Sequence, residues 1–133
     1  MPNATTILVI EDFEPFRTFA CMTLQKRPEF RVFQAADGLE AVQKAQELQP
    51  HLIFIDIGLP KLNGIEAAKR IQQDSPTSRV IFTTQNNDAD IRTEALATGA
   101  AGYLLKANAA RELVPAMEAA LENHHWSDTH LRH

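Results

Sequence analysis

Five short apolar runs recur along the chain: Ile7-Leu8-Val9-Ile10, residues 30–35, Leu52-Ile53-Phe54-Ile55, Val80-Ile81-Phe82 and Tyr103-Leu104-Leu105. They are rich in β-branched and aromatic residues and have the length of strands rather than of buried helices. The segments between them carry helical spacing. Phe16, Phe19, Ala20 and Leu24 give residues 14–26 one apolar face, and Arg27-Pro28 closes that helix. Ala36-Asp37-Gly38 turns into a second helix running to about Leu48, which Gln49-Pro50 ends. Residues 64–73 form a third, with Ile65, Ala68 and Ile71 inward and Asp74-Ser75-Pro76 as its stop. Asp88 or Asn87 caps a fourth that ends near Thr98-Gly99, and a fifth follows Asn108 to about residue 123. Pro115 sets a choice for this last helix: either it starts later, near Arg111, or it bends.

Strand and helix alternating five times across short connections predict an α/β fold, a doubly wound parallel sheet with helices on both faces. At 133 residues the chain is expected to be one domain over 1–122, with 123–133 as a tail or the start of a linker. The expected strand order is 2-1-3-4-5, flavodoxin-like, with its switch point between the first and third strands.

What the strands end in carries the chemistry. The central run stops abruptly at Asp56, and Gly58 and Pro60 then break regular structure. The first strand ends in Glu11-Asp12, the fourth in Thr83-Thr84 and the fifth in Lys106. In an open parallel sheet these ends border one crevice. Three carboxylates there repel one another unless a cation or proton relieves them. Mg²⁺ suits such a set, since it takes one or two carboxylates and keeps several waters, and the Gly58 carbonyl supplies a further oxygen. Cation, ammonium and hydroxyl around one carboxylate are the parts needed for phosphoryl transfer to Asp56, for which a carboxylate needs no general base. Neither a Walker pattern nor a glycine-rich dinucleotide fingerprint is present, so a bound nucleotide is not the expected donor.

The net charge of -4 and the lack of a basic run argue against direct nucleic-acid binding by this chain. No segment approaches the length of a membrane span, and Met1 to Thr6 lacks a basic start and an apolar signal run. Cys21 is the only cysteine, which excludes an internal disulfide. A cytoplasmic protein is expected. The histidines at 124, 125, 130 and 133 have neither thiolate neighbours nor metal-site spacing and read as a solvated tail.

The acidic pair Glu11-Asp12, Asp56-Ile57-Gly58-Leu59-Pro60, Asn63-Gly64-Ile65-Glu66, Thr83 and Gly102-Tyr103-Leu104-Leu105-Lys106, in that order, resemble the receiver domain of two-component response regulators. The resemblance implies that Asp56 accepts a phosphoryl group from a sensor histidine kinase or phosphotransfer protein. It also implies that Asp12, Asp56 and the Gly58 carbonyl bind Mg²⁺, with Glu11 assisting through water. Thr83 and Lys106 would contact the phosphoryl group, and Tyr103 would change rotamer as Thr83 moves. The switched surface would be that of the fourth helix, fifth strand and fifth helix; this surface, or the first and fifth helices, would serve in a homodimer. The wording around residues 102–106 and Trp126-Ser127 is similar to receivers that precede a LuxR-type helix-turn-helix, so transcription is the expected output, through such a domain or by protein contact. Four positions depart from the pattern or bear on lifetime: Thr84 where a small residue is usual, Ala107 where proline is common, and Gly58 and Gln85, which bear on dephosphorylation in opposite senses.

Two other classes compete. An aspartyl-intermediate phosphatase usually has its nucleophile at the first strand and a second aspartate two residues on; here that place is Gly58. An unphosphorylated adaptor would be expected to lack part of the site. The expectation is a phosphoacceptor switch, not an enzyme with general turnover.

Overall fold

The computed structural model describes residues 4–122. Strands β1 (Thr5–Ile10), β2 (Phe30–Ala35), β3 (Leu52–Asp56), β4 (Arg79–Thr84) and β5 (Gly102–Leu105) alternate with helices α1 (Glu14–Gln25), α2 (Gly38–Leu48), α3 (Gly64–Asp74), α4 (Ala89–Leu96) and α5 (Ala109–Leu121). The strands form one parallel sheet in the order β2-β1-β3-β4-β5. This is the flavodoxin-like arrangement expected from the alternation, with β1 and β3 flanking the switch point.

Two apolar layers sandwich the sheet. On one face Leu8, Ile10, Ile53, Ile55, Val80, Phe82 and Tyr103 pack against α2, α3 and α4. On the other Ile7, Val9, Leu52, Phe54, Ile81 and Leu104 pack against α1 and α5. Every residue of β3 is buried, so its sequence shows no alternation although its side chains alternate between the two layers. Cys21 is buried in the second layer, where desolvation pushes its thiol up; it is a packing group.

Helix entrances follow local chemistry. Asp37 caps α2 by accepting from the Glu40 amide at 2.8 Å, and Asn63 caps α3 by accepting from Glu66 N–H at 3.0 Å. Asp88, not Asn87, caps α4, taking the amides of Asp90 and Ile91. At α5 a single 3-10 turn, Lys106–Asn108, leads into a helix that begins at Ala109 and runs through Pro115, so the later start near Arg111 does not occur. Asn108 holds the cap position without a side-chain hydrogen bond. The Lys106–Ala107 peptide is trans, as are all peptides among the described residues. No helix among them is long and apolar enough to cross a membrane. The expected tail, with Trp126 and the four histidines, lies outside the described residues.

Candidate functional site

The carboxyl ends of β1, β3, β4 and β5 meet around an open cavity of about 300 Å³ lined by Glu11, Asp12, Phe13, Asp56, Gly58, Thr84, Gln85, Asn86 and Lys106. One carboxylate oxygen from each of Glu11, Asp12 and Asp56 lies within 4.8 Å of the others, Asp12 exposed and the other two buried. β1 and β3 are adjacent in the sheet, which is why residues 44 positions apart in sequence converge here.

Lys106 supplies the neutralising charge. Its Nζ lies 2.8 Å from Glu11 Oε1, 3.0 Å from Oε2 and 3.3 Å from Asp56 Oδ2. The ring of Phe16, from the first turn of α1, lies beneath that ammonium at 5.3 Å. Glu11 is 1% exposed, and burial pushes its carboxyl above the ordinary carboxylate range. The neighbouring Asp56 charge adds to that rise, while Lys106 and the Phe13 amide, which donates at 3.0 Å, oppose it. The Glu11 backbone is pinned as well: its N–H donates to Ala35 O, and its carbonyl accepts from Arg17 at 2.8 Å.

Asp56 is held by the loop that follows it. The Gly58 amide donates to Asp56 Oδ1 at 3.3 Å, Ile57 N–H bonds Thr83 O, and Gly64 N–H bonds Ile57 O. Gly64 stands so close that a Cβ there would lie 2.1 Å from the Asp56 carbonyl oxygen, whereas at Gly58 the space is open. The donor set is all oxygen, which fits a hard divalent cation. Both Glu11 oxygens already face Lys106, leaving Asp12 and Asp56 as the carboxylates that would hold Mg²⁺.

The two threonines that end β4 stand differently. Thr83 does not line the cavity; Thr84 does. Thr83 is the register partner of both Asp56 and Leu104, and strand alternation puts it on the Ile81 face, buried toward α1 and α5. Thr84 follows Phe82 on the face that carries Tyr103, and its Oγ1 exchanges hydrogen bonds with the Asn86 backbone at 3.3 Å. Two consecutive threonines at the end of a strand buried on both faces carry no parity signal, so the one-residue shift was invisible in sequence. Tyr103 is 1% exposed and does not line the cavity. Phe13, Phe16 and Asn86 were not anticipated at the site; the two aromatics follow the acidic pair by one and four residues, but their spacing reads equally as helix packing.

Residues 7–118 match the response regulator receiver domain. The transcriptional regulatory protein DegU of Brevibacillus brevis is 35% identical over 90% of this chain and 51% of its own length. The nitrate/nitrite response regulator protein NarL of Escherichia coli is 34% identical over 86% of this chain and 54% of its own. The crystal structure of a LuxR-family two-component response regulator from Aurantimonas superposes with a TM-score of 0.86 at 30% identity, covering 93% of this chain and 89% of that one. The chain thus spans about half the length of the curated relatives it matches. The sheet order, the strand-end carboxylates with their lysine, and a family match over nearly the whole described region together establish that this chain belongs to the receiver domains of two-component response regulators.

Proposed function

We propose that Asp56 is the phosphoacceptor of this receiver. What carries the reading is the placement of its carboxylate, at the end of a fully buried strand with the Lys106 ammonium at 3.3 Å and two further carboxylates within 4.8 Å. An Asp56 oxygen attacks phosphorus, the bond from phosphorus to the donor breaks, and the donor leaves with that electron pair. For a phosphohistidine donor, on a sensor kinase or phosphotransfer protein, the leaving group is the imidazole. Asp12, Asp56 and the Gly58 carbonyl would hold Mg²⁺, which offsets charge on the transferring group, and Glu11 would reach it through water. Lys106 balances the remaining charge, and the hydroxyl nearest the cavity is that of Thr84, which takes the role expected of Thr83.

The resulting aspartyl phosphate adds charge and acceptor oxygens that draw Thr84 and Lys106 inward. Tyr103, on the same face as Thr84, then exchanges between two positions, and α4, β5 and α5 change the surface they offer to a second copy or an output partner. The half-length match to relatives named as transcriptional regulators supports transcription as the output, through a DNA-binding domain or protein contact. No sustained hydrolysis of phosphate esters is expected.

Intact mass after incubation with acetyl phosphate tests this. A gain of one phosphoryl group that requires Mg²⁺ and is absent in Asp56→Asn is the expected result. No gain in the wild type, from acetyl phosphate or a phosphorylated kinase, refutes it.

A further inference from the structure

Asp12 is the exposed member of the three-carboxylate cluster, so its aim is set by the backbone that carries it. The residues on either side of Asp12 are both tied to residue 17. The Arg17 amide donates to Phe13 O at 3.0 Å, and the half-buried guanidinium donates from Nη1 to Glu11 O at 2.8 Å. From Nε the same guanidinium donates to Gln34 Oε1 on β2 at 2.9 Å, and the Gln34 carbonyl in turn accepts from Lys44 of α2. Arg17 thus fastens the loop between β1 and α1 to β2. It does so from outside the cavity around Asp56, in a separate depression of about 190 Å³ that it lines with Gln34, Glu40 and Lys44.

We propose that Arg17 is a positioning residue for Mg²⁺, presetting the Asp12 carboxylate through the Glu11 carbonyl without touching the ion. The inference rests on the reading of Asp12 and Asp56 as the carboxylates that hold the metal. A planar guanidinium suits the task, because its fixed fork serves Glu11 O and Gln34 at once where an ammonium is a single point. Charge alone would act the other way, since a positive group near a divalent cation repels it. What Arg17 contributes is preorganisation: a loop already held in place loses less freedom when the ion arrives. Partners that orient metal ligands from outside commonly carry tenfold or more of the affinity. The two effects have opposite signs, so removing Arg17 tells them apart.

Titration of ¹⁵N-labelled protein with MgCl₂ alone, followed by the backbone amide resonances, gives the dissociation constant without any phosphodonor. Wild type, Arg17→Met, Arg17→Lys and Gln34→Ala are compared. Arg17→Met keeps the apolar stem and loses both side-chain donors, and its dissociation constant should rise about tenfold. Arg17→Lys, whose ammonium can reach Glu11 O but not hold both acceptors, should lie between, as should Gln34→Ala. In parallel, phosphoryl gain from acetyl phosphate should need about tenfold more Mg²⁺ for half its maximal rate in Arg17→Met, yet approach the wild-type rate at saturation. An affinity in Arg17→Met equal to wild type, even with a lowered melting temperature, overturns the proposal and leaves Arg17 a brace of the fold; a tighter affinity overturns it in favour of charge alone. If loss of amide dispersion shows that Arg17→Met does not fold, Gln34→Ala decides: weaker binding supports the proposal and wild-type binding overturns it. Absence of Mg²⁺-dependent shifts around Asp12, Asp56 and Gly58 in the wild type overturns the ligand reading and the proposal with it, a result distinct from one confined to the variants.

Discussion

Gly64→Ala tests how the Asp56 end of β3 is positioned. Gly64 opens α3, and its amide donates to Ile57 O at 2.8 Å. A methyl group there would lie 2.1 Å from Asp56 O, 2.7 Å from Ile57 Cα and 2.8 Å from the Asp56 carbonyl carbon, against a floor of 3.0 Å for real Cβ contacts. All three are backbone atoms, so no side-chain rotation relieves the overlap. The start of α3 must retreat by roughly an ångström, a distortion that as overpacking costs about 1–3 kcal/mol. Stretching the Gly64–Ile57 hydrogen bond adds about 1 kcal/mol. Alanine's advantage over glycine in a helix offsets at most about 1 kcal/mol. The net expectation is a loss of about 1–3 kcal/mol in urea unfolding monitored by circular dichroism, with slower phosphoryl gain from acetyl phosphate because the Asp56 carbonyl and the following loop shift together. Gly58→Ala is the control: its added carbon would meet only Asp56 Oδ2, at 4.0 Å, and should change stability by less than about 0.5 kcal/mol. Equal stability of the two variants would refute the close-approach argument.

Lys106→Met removes the cation paired with the side-chain carboxylates of both Glu11 and Asp56. The rate of phosphoryl gain should fall about a hundredfold, as when one preorganised charge partner is deleted, and an unchanged rate would remove Lys106 from the chemistry. Saturating Mg²⁺ should raise the melting temperature, corresponding to about 2.7 kcal/mol at a hundred times the dissociation constant; chelator should reverse it and Asp12→Asn abolish most of it in differential scanning fluorimetry. Asp37→Ala deletes the α2 cap and should cost about 1 kcal/mol at neutral pH in chemical unfolding. The Glu40 amide, then Lys61, holds the Asp37 carboxyl below its ordinary value, so its stabilisation is present above that value and is lost as pH falls through the lower, folded one. The gap between wild type and Asp37→Ala should therefore narrow below about pH 4, and a gap that widened there would contradict the assignment.

Much of this protein was legible in one dimension because its fold is built from local signals repeated in order. Five apolar runs, the periodic segments between them and the polar residue ending each run are sequence properties, and parallel alternation turns them into one sheet with its strand ends on one edge. Glu11, Asp12, Asp56, Gly58 and Lys106 could be gathered at that edge without coordinates. Which threonine reaches the cavity could not, because β4 is buried on both faces and its parity is set only by pairing Asp56 with Thr83 across the sheet. Nor could the passage of α5 through Pro115, which depends on what the helix packs against rather than on its own ladder. The upward push on Glu11 comes from desolvation, a property of the whole surround. Arg17 reads in sequence as one charge on α1, and only the pairing of β1 with β2 puts Gln34 within its reach. Sequence by itself determined which groups stand at the strand ends; tertiary structure decided which way they face and how much water they keep, since facing and hydration are set by neighbours distant in the chain.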